Sequence, residues 1–283
     1  VKRKKSVYIL LIFLSACSNN NKINNEKYLL VRGINARLNN EKIKALSLYK
    51  KALAVDENNI FLLHEIAILE YENKNYIVAR DIYKKILKVN KDDEIAIVNL
   101  GLIAYKNNQY KECIFYLEKV KNYKYLFTLY KVLGISYYKI GNIDKASRNL
   151  YEAFLYIKEY DEEYFAIYTK ILIDKNDKDG LYYFLKKGYN KYLANKNFNI
   201  LYSDILCEFL KKPKEAEKIL RIYLINIQID NDILLKLCEI YIKNNDYIRG
   251  KIIFQMIYPE ESEKYQKIKK ELETVHIENF EEE

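Results

Sequence analysis

With 283 residues, half of them apolar and only 7 Gly and 2 Pro, the chain is neither collagen-like nor disulfide-dense nor disordered as a whole, and its composition favours helix over sheet. The net charge of +9 is unevenly spread: residues 1–16 carry four basic and no acidic groups, residues 259–283 carry four Lys against nine Glu, and the body between them is about +10. In that body Lys is interleaved with Glu and Asp on outer helix faces and Arg is scarce, so the excess reads as a solvated surface and no nucleic-acid partner is expected.

The chain opens with a basic stretch, an apolar run from Val7 to Leu14 and then Leu14-Ser15-Ala16-Cys17. These are the three parts of a secretion signal, and the run is about half of the roughly 20 residues a membrane span needs. Small residues just before a Cys resemble the bacterial lipoprotein signal, in which cleavage precedes the Cys and that Cys is acylated. The resemblance makes residues 1–16 the signal peptide and Cys17 the lipidated, membrane-anchoring N-terminus; the alternative is an ordinary cleaved signal with an incidental Cys. The Asn-rich residues 18–25 have nothing to bury and read as a flexible tether, so the segment 17–25 links anchor to body. Ser18, where an Asp would retain such proteins in the inner membrane, implies the outer membrane facing the periplasm.

From Glu26 to Tyr258 a pattern repeats. Small residues at Ala45, Ala79, Cys113, Ala146, Gly180, Ala216 and Gly250 are 34, 34, 33, 34, 36 and 34 apart. A large residue follows each by four: Tyr49, Tyr83, Leu117, Leu150, Phe184, Leu220 and Phe254. Another precedes each by sixteen: Leu29, Leu63, Ile97, Tyr130, Tyr164, Ile200 and Leu234. A second small position, twelve before, holds Gly33, Ala67, Gly101 and Gly134, then Tyr168, Asp204 and Cys238, which makes the last three repeats more divergent. Closely crossing helices need a small residue wherever the facing side chain is large. The segment from Tyr130 to Ala153 shows the unit best: two short antiparallel helices, with Gly141 able to end the first in a left-handed conformation and Asn142 and Asp144 opening the second. Pro213 falls in a turn of the sixth repeat, and Pro259 would stop the last helix.

Beyond it, Tyr265, Ile268, Leu272 and Val275 are spaced three and four apart within 260–277, an amphipathic helix suited to cap the open end of a repeat array. Residues 259–283 are therefore a capping helix and acidic tail.

Chemistry-bearing residues are sparse. His64 and His276 are too few and too distant in sequence for a metal site or a catalytic triad, no Gly-rich phosphate loop is present, and acid pairs such as Asp92-Asp93 and Glu162-Glu163 fall at turns. No enzyme activity, metal or cofactor is expected. Cys113, Cys207 and Cys238 read as packing residues, with a Cys207–Cys238 bridge between successive first helices left open.

The 34-residue period and its small-large code resemble the tetratricopeptide repeat, over nearly all of residues 26–258. The resemblance implies an all-α, helical-hairpin solenoid, a right-handed superhelix of about seven repeats, that binds a protein or peptide. It also implies which residues line the concave groove: Leu30, Ile34 and Arg37, then Phe61, His64, Ile68 and Tyr71, then Ile95, Val98, Leu102 and Tyr105, then Lys131, Ile135 and Tyr138. That apolar-aromatic set suits an amphipathic helix or an extended apolar segment, unless the C-terminal helix covers it. The expectation is a lipid-anchored scaffold or adaptor on the periplasmic side of the envelope, similar in architecture to the repeat subunit of the β-barrel assembly machine, to pilotin lipoproteins and to adaptors of peptidoglycan hydrolases. The alternative is an extracytoplasmic protein that captures a peptide or an anionic cell-wall polymer without joining a stable machine.

Overall fold

The computed structural model describes residues 21–121 and 126–274. Among them are fifteen α-helices and no strand: α1 (Asn21–Leu38), α2 (Lys42–Leu53), α3 (Ile60–Glu72), α4 (Tyr76–Val89), α5 (Glu94–Lys106), α6 (Tyr110–Leu117), α7 (Leu126–Lys139), α8 (Ile143–Tyr156), α9 (Glu162–Asp174), α10 (Lys178–Tyr192), α11 (Lys196–Glu208), α12 (Pro213–Asn226), α13 (Asn231–Lys243), α14 (Tyr247–Phe254) and α15 (Glu263–Thr274). The first fourteen pair in order as seven helical hairpins, so the fold class and the repeat number are those the period implied. They fall into two compact units, residues 1–149 and 150–283, divided within α8.

Each hairpin closes in the same way. The residue two positions before the second helix is left-handed at Asn40, Lys74, Asn108, Gly141, Asn176, Lys211 and Asn245, with φ between 53° and 83°. Only Gly141 adopts that conformation freely; Asn tolerates it because a short polar side chain bonds locally, and Lys does so under strain. The next residue then donates its N–H back into the first helix: Glu41 to Ala36, Asn75 to Glu70, Gln109 to Ala104, Asn142 to Tyr137, Asp177 to Leu172, Lys212 to Leu206 and Asp246 to Tyr241. This bond satisfies a carbonyl that the helix end would otherwise leave unpaired.

Those bonds fix the register, and they correct the sequence reading in repeats five and six. In the second helices the equivalent N–H donors to the capping residue belong to Ala45, Ala79, Cys113, Ala146, Leu181, Ala216 and Gly250. Repeat five therefore packs Leu181, which is fully buried, while Gly180 sits at the helix start and gives its N–H to Asp177 Oδ1 at 2.9 Å. The first-helix small position becomes Thr169 instead of Tyr168, and the flanking large residues become Phe165 and Leu185. In repeat six the closing bond spans six residues instead of five, a one-residue insertion ahead of Lys211. The small position is consequently Ser203, fully buried, and not Asp204, and Asn199 takes the place expected for Ile200. All seven first helices thus carry Gly, Ala, Thr, Ser or Cys where the hairpin closes; the divergence was one of register. Pro213 lies not in a turn but at the first position of α12, where its missing N–H is not needed.

The small-large contact is tight in the first unit. A Cβ on Gly33 would lie 2.5 Å from the Tyr49 ring, and one on Gly101 would overlap Leu117. At the other end α15 packs on α13 and α14, burying Tyr265, Ile268 and Leu272 with Leu234, Leu235 and Cys238. The cap starts later than its predicted span, at Glu263, where Ser262 accepts the Tyr265 N–H at 3.2 Å. Val275 lies outside the described residues. Helix α1 begins at Asn21, inside the segment read as a tether: adding residues to an already packed helix carries no nucleation cost.

Candidate functional site

In the first unit α1, α3, α5 and α7 are the first helices of their hairpins, and the groove residues lie along them at fixed repeat positions. Their surroundings divide them into three groups. Phe61 and Ile95, at the same position of successive repeats, are 49% and 43% exposed. Ile68, Tyr71, Leu102, Tyr105, Lys131 and Tyr138 are half-buried, as are Leu30 and Ile34. Val98 and Ile135 are buried and belong to the core instead of the surface.

Two tyrosines of the half-buried group are braced from behind. Tyr71 meets Tyr76 edge-on at 5.3 Å between ring centroids, and Tyr105 meets Tyr110 likewise at 6.1 Å, each partner standing at the start of the second helix of the same hairpin. Burial, and then the neighbouring Tyr76 hydroxyl, pushes the Tyr71 pKa up, so its O–H stays a hydrogen-bond donor at any physiological pH. Braced aromatic rings present contact area at little entropic cost.

The polar members of the row tie neighbouring first helices together. Arg37 on α1 reaches Glu65 on α3 at 2.7 Å and Glu72 at 3.7 Å. His64 on α3 places Nε2 3.1 Å from Oδ2 of Asp93, and Asp93 also caps α5 by accepting the Ala96 N–H at 2.9 Å. One of the acids placed at turns therefore holds a histidine and starts a helix at once. The signal in the sequence is an Asp two residues ahead of an apolar run. Arg37 and His64 are thus committed to the scaffold, and Phe61, Ile68, Tyr71, Ile95, Leu102 and Tyr105 remain as the apolar contact set.

The described cysteines, Cys113, Cys207 and Cys238, are free thiols. Cys113 accepts from Ser136 Oγ at 3.3 Å and is pushed up to about 11 by burial; Cys238 gives its proton toward the Gly250 carbonyl at 3.5 Å and is pushed up to about 12 by burial. The Cys207–Cys238 bridge is accordingly not formed, and these thiols are poor nucleophiles. Among the described residues no group of three His, Cys, Asp or Glu side chains is placed to hold a metal, and no helix is long and apolar enough to cross a membrane. Cys17 lies outside the described residues.

A tetratricopeptide repeat protein from Parabacteroides merdae superposes with a TM-score of 0.56 at 11% identity, over 88% of this chain and 98% of that one. The fold is the tetratricopeptide-repeat fold. MamA from Desulfovibrio magneticus RS-1 shares it, with a TM-score of 0.54 at 18% identity over 63% of this chain and 99% of that one, as does a MamA double mutant at 0.52, 19%, 60% and 94%. No protein-family model matches the sequence, and no curated protein matches it. At these identities the likeness concerns the tetratricopeptide architecture, and function has to come from the surfaces.

Proposed function

We propose that the chain is a protein-binding adaptor, held at the cell envelope by a lipid on Cys17 and facing the periplasm, which grips an apolar helix or extended segment along the first helices of its N-terminal unit. The observation that carries this reading is the recurrence of an exposed apolar side chain at one position of successive first helices, Phe61 and then Ile95, each followed by a tyrosine braced by its own hairpin. Apolar side chains repeated along a stacked array form a continuous track, the kind of surface that marks protein contact. The C-terminal helix is no competitor by composition, since its described apolar residues are already buried against α13 and α14.

A photo-crosslinking amino acid placed at Phe61, Tyr71 and Tyr105 in turn tests this in living cells. The expected result is one envelope protein trapped at all three positions. Crosslinks confined to the chain itself, or none at any position, would overturn the assignment of the surface. The anchor is tested separately: Cys17→Ser is expected to move the protein out of the membrane fraction and abolish labelling by a palmitate analogue, and unchanged fractionation would remove the lipid from the proposal. Salt-sensitive binding to an anionic cell-wall polymer, unaffected by changes at Phe61 or Ile95, would favour capture over scaffolding.

A further inference from the structure

The second unit carries a cleft of about 790 Å³ between α12 and the α13–α14 turn, lined among others by Lys214, Lys218, Arg221, Ile225, Tyr241 and Arg249. Its floor is polar and pinned. Glu217 Oε1 accepts from the Tyr241 hydroxyl at 2.8 Å, from Arg249 at 3.2 Å and from Arg221 at 3.3 Å, while Arg249 also pairs with Asp246 and lies over the Tyr241 ring at 4.8 Å. The two arginines and the two carboxylates balance there. Lys214 and Lys218, both exposed, have no ion-pair partner among the described residues, so the cleft keeps a surplus of two positive charges.

The arrangement along α12 adds direction. Lys214, Lys218, Arg221 or Ile222, and Ile225 succeed one another at intervals of three and four, one face of the helix. The face is basic over its first two turns and apolar at its end, where Ile225 is 77% exposed. An apolar side chain at that exposure beside the half-buried Ile222, continuous with unpaired lysines over a preformed polar floor, matches a partner that carries acids and apolar residues in the corresponding order.

We propose that this cleft is a second docking surface, distinct from the first-helix track, and that it takes an amphipathic segment of a partner protein with carboxylates at one end and apolar residues at the other. Charge complementarity selects that chemistry: the lysines need acids, and Ile222 with Ile225 need an apolar neighbour. The chain would then hold two partners at once, one on the first-helix track and one here.

Fluorescence anisotropy with the full chain and a labelled synthetic helical peptide, glutamates in one half and leucines in the other, tests the proposal. Saturable binding is expected, weakened about tenfold by Lys214→Glu with Lys218→Glu and by raised salt, weakened less by Ile225→Ser, and unchanged by Phe61→Glu. All four side chains are exposed, so the variants are expected to keep the parent melting curve, and envelope crosslinking through Tyr71 should persist in the lysine variant. Equal binding of a peptide with lysines in place of glutamates would overturn the proposal. So would lysine-dependent binding to anionic phospholipid vesicles with none to the peptide, which would make the face a membrane contact. Peptide binding that appears only after Glu281, Glu282 and Glu283 are changed to Gln would overturn it too, assigning the cleft to the chain's own acidic end.

Discussion

The two units close the same hairpin over cores of opposite kind. In the first, glycines let helices touch: Tyr49 lies against Gly33 and Leu117 against Gly101. In the second, the corresponding residues are Thr169, Ser203 and Cys238, and around the first two the space between helices is filled by rings. The Phe165 ring centroid stands 5.0–5.6 Å from those of Tyr160, Tyr164, Phe184, Tyr192 and Phe198. The lone glycine of this cluster, Gly188, is small on behalf of a neighbouring ring, since a Cβ there would lie 2.8 Å from Phe198. The difference teaches that hairpin geometry is set by the left-handed turn and its closing bond, which both units share, while the core volume is free to sit in either partner.

If the aromatic cluster organises the second unit, Phe165→Ala should be the most damaging single change. Truncating a fully buried phenylalanine costs about 3–5 kcal/mol, and this ring has five aromatic neighbours to lose. Hydrogen exchange should accelerate across α9, α10 and α11 while α3 and α4 keep their protection. Uniform acceleration over both units would break the comparison. The reciprocal change in the first unit is Gly101→Val, which forces atoms into Leu117 at a cost of about 1–3 kcal/mol. Pairing it with Leu117→Ala should recover part of the loss in a urea titration, a coupling that independent sites would not show.

How much of this was legible in the sequence follows from the same contrast. Seven hairpins were readable because a 34-residue period survives substitution at any single position, and six of the seven second-helix small residues were identified correctly. Repeats five and six slipped because the period counts residues, and an added residue near a turn shifts the count without altering the fold. The turn itself carried a signal read only at Gly141: Asn at positions 40, 108, 176 and 245 marks the same left-handed residue, which makes five repeats of seven. The binding surface was harder to read. Helices α3 and α5 are apolar on nearly every side, so their sequence cannot separate a core stripe from an exposed one, and Val98 fell on the wrong side of that line. The basic cleft was not legible at all, because it is built from α12 and a turn about thirty residues on.

Acid should probe both units at once, through one carboxylate in each, Glu70 buried and Glu239 half-buried. Burial raises the pKa of Glu70, but hydrogen bonds from Lys50 and Asn75, at 2.8 Å each, outweigh it and leave the group below its ordinary value. Glu239 is likewise lowered, burial being overcome by Lys236 and Lys264. A carboxylate with a lowered folded pKa contributes stability that is complete above the ordinary value near 4.5 and is lost as pH falls through the folded value. Glu70→Gln and Glu239→Gln should therefore flatten the acid side of the stability profile in their own units, while lowering stability at neutral pH by about 1 kcal/mol. An acid limb unchanged in both variants would assign the pH dependence elsewhere.

The smallest effect tests the feature the two units share. Lys74 and Lys211 occupy the left-handed position with φ of 64° and 57°, a conformation that disfavours any residue with a long side chain. Glycine removes that strain but gives the unfolded chain more freedom, so the net gain from Lys74→Gly or Lys211→Gly should be only about 0.5 kcal/mol. Gly141→Ala should lose about 1 kcal/mol at the equivalent turn, although a Cβ there would meet nothing within 4 Å, because the penalty lies in the backbone and not in a contact. Thermal melts of the three variants decide the matter. If the turn sets the hairpin in both units, the lysine changes raise the melting temperature in each, and the alanine lowers it despite the open space around it. A stabilising Lys74→Gly beside a destabilising Lys211→Gly would mean that the inserted residue of repeat six has altered its turn, and that the closing bond is not the common device of the two cores.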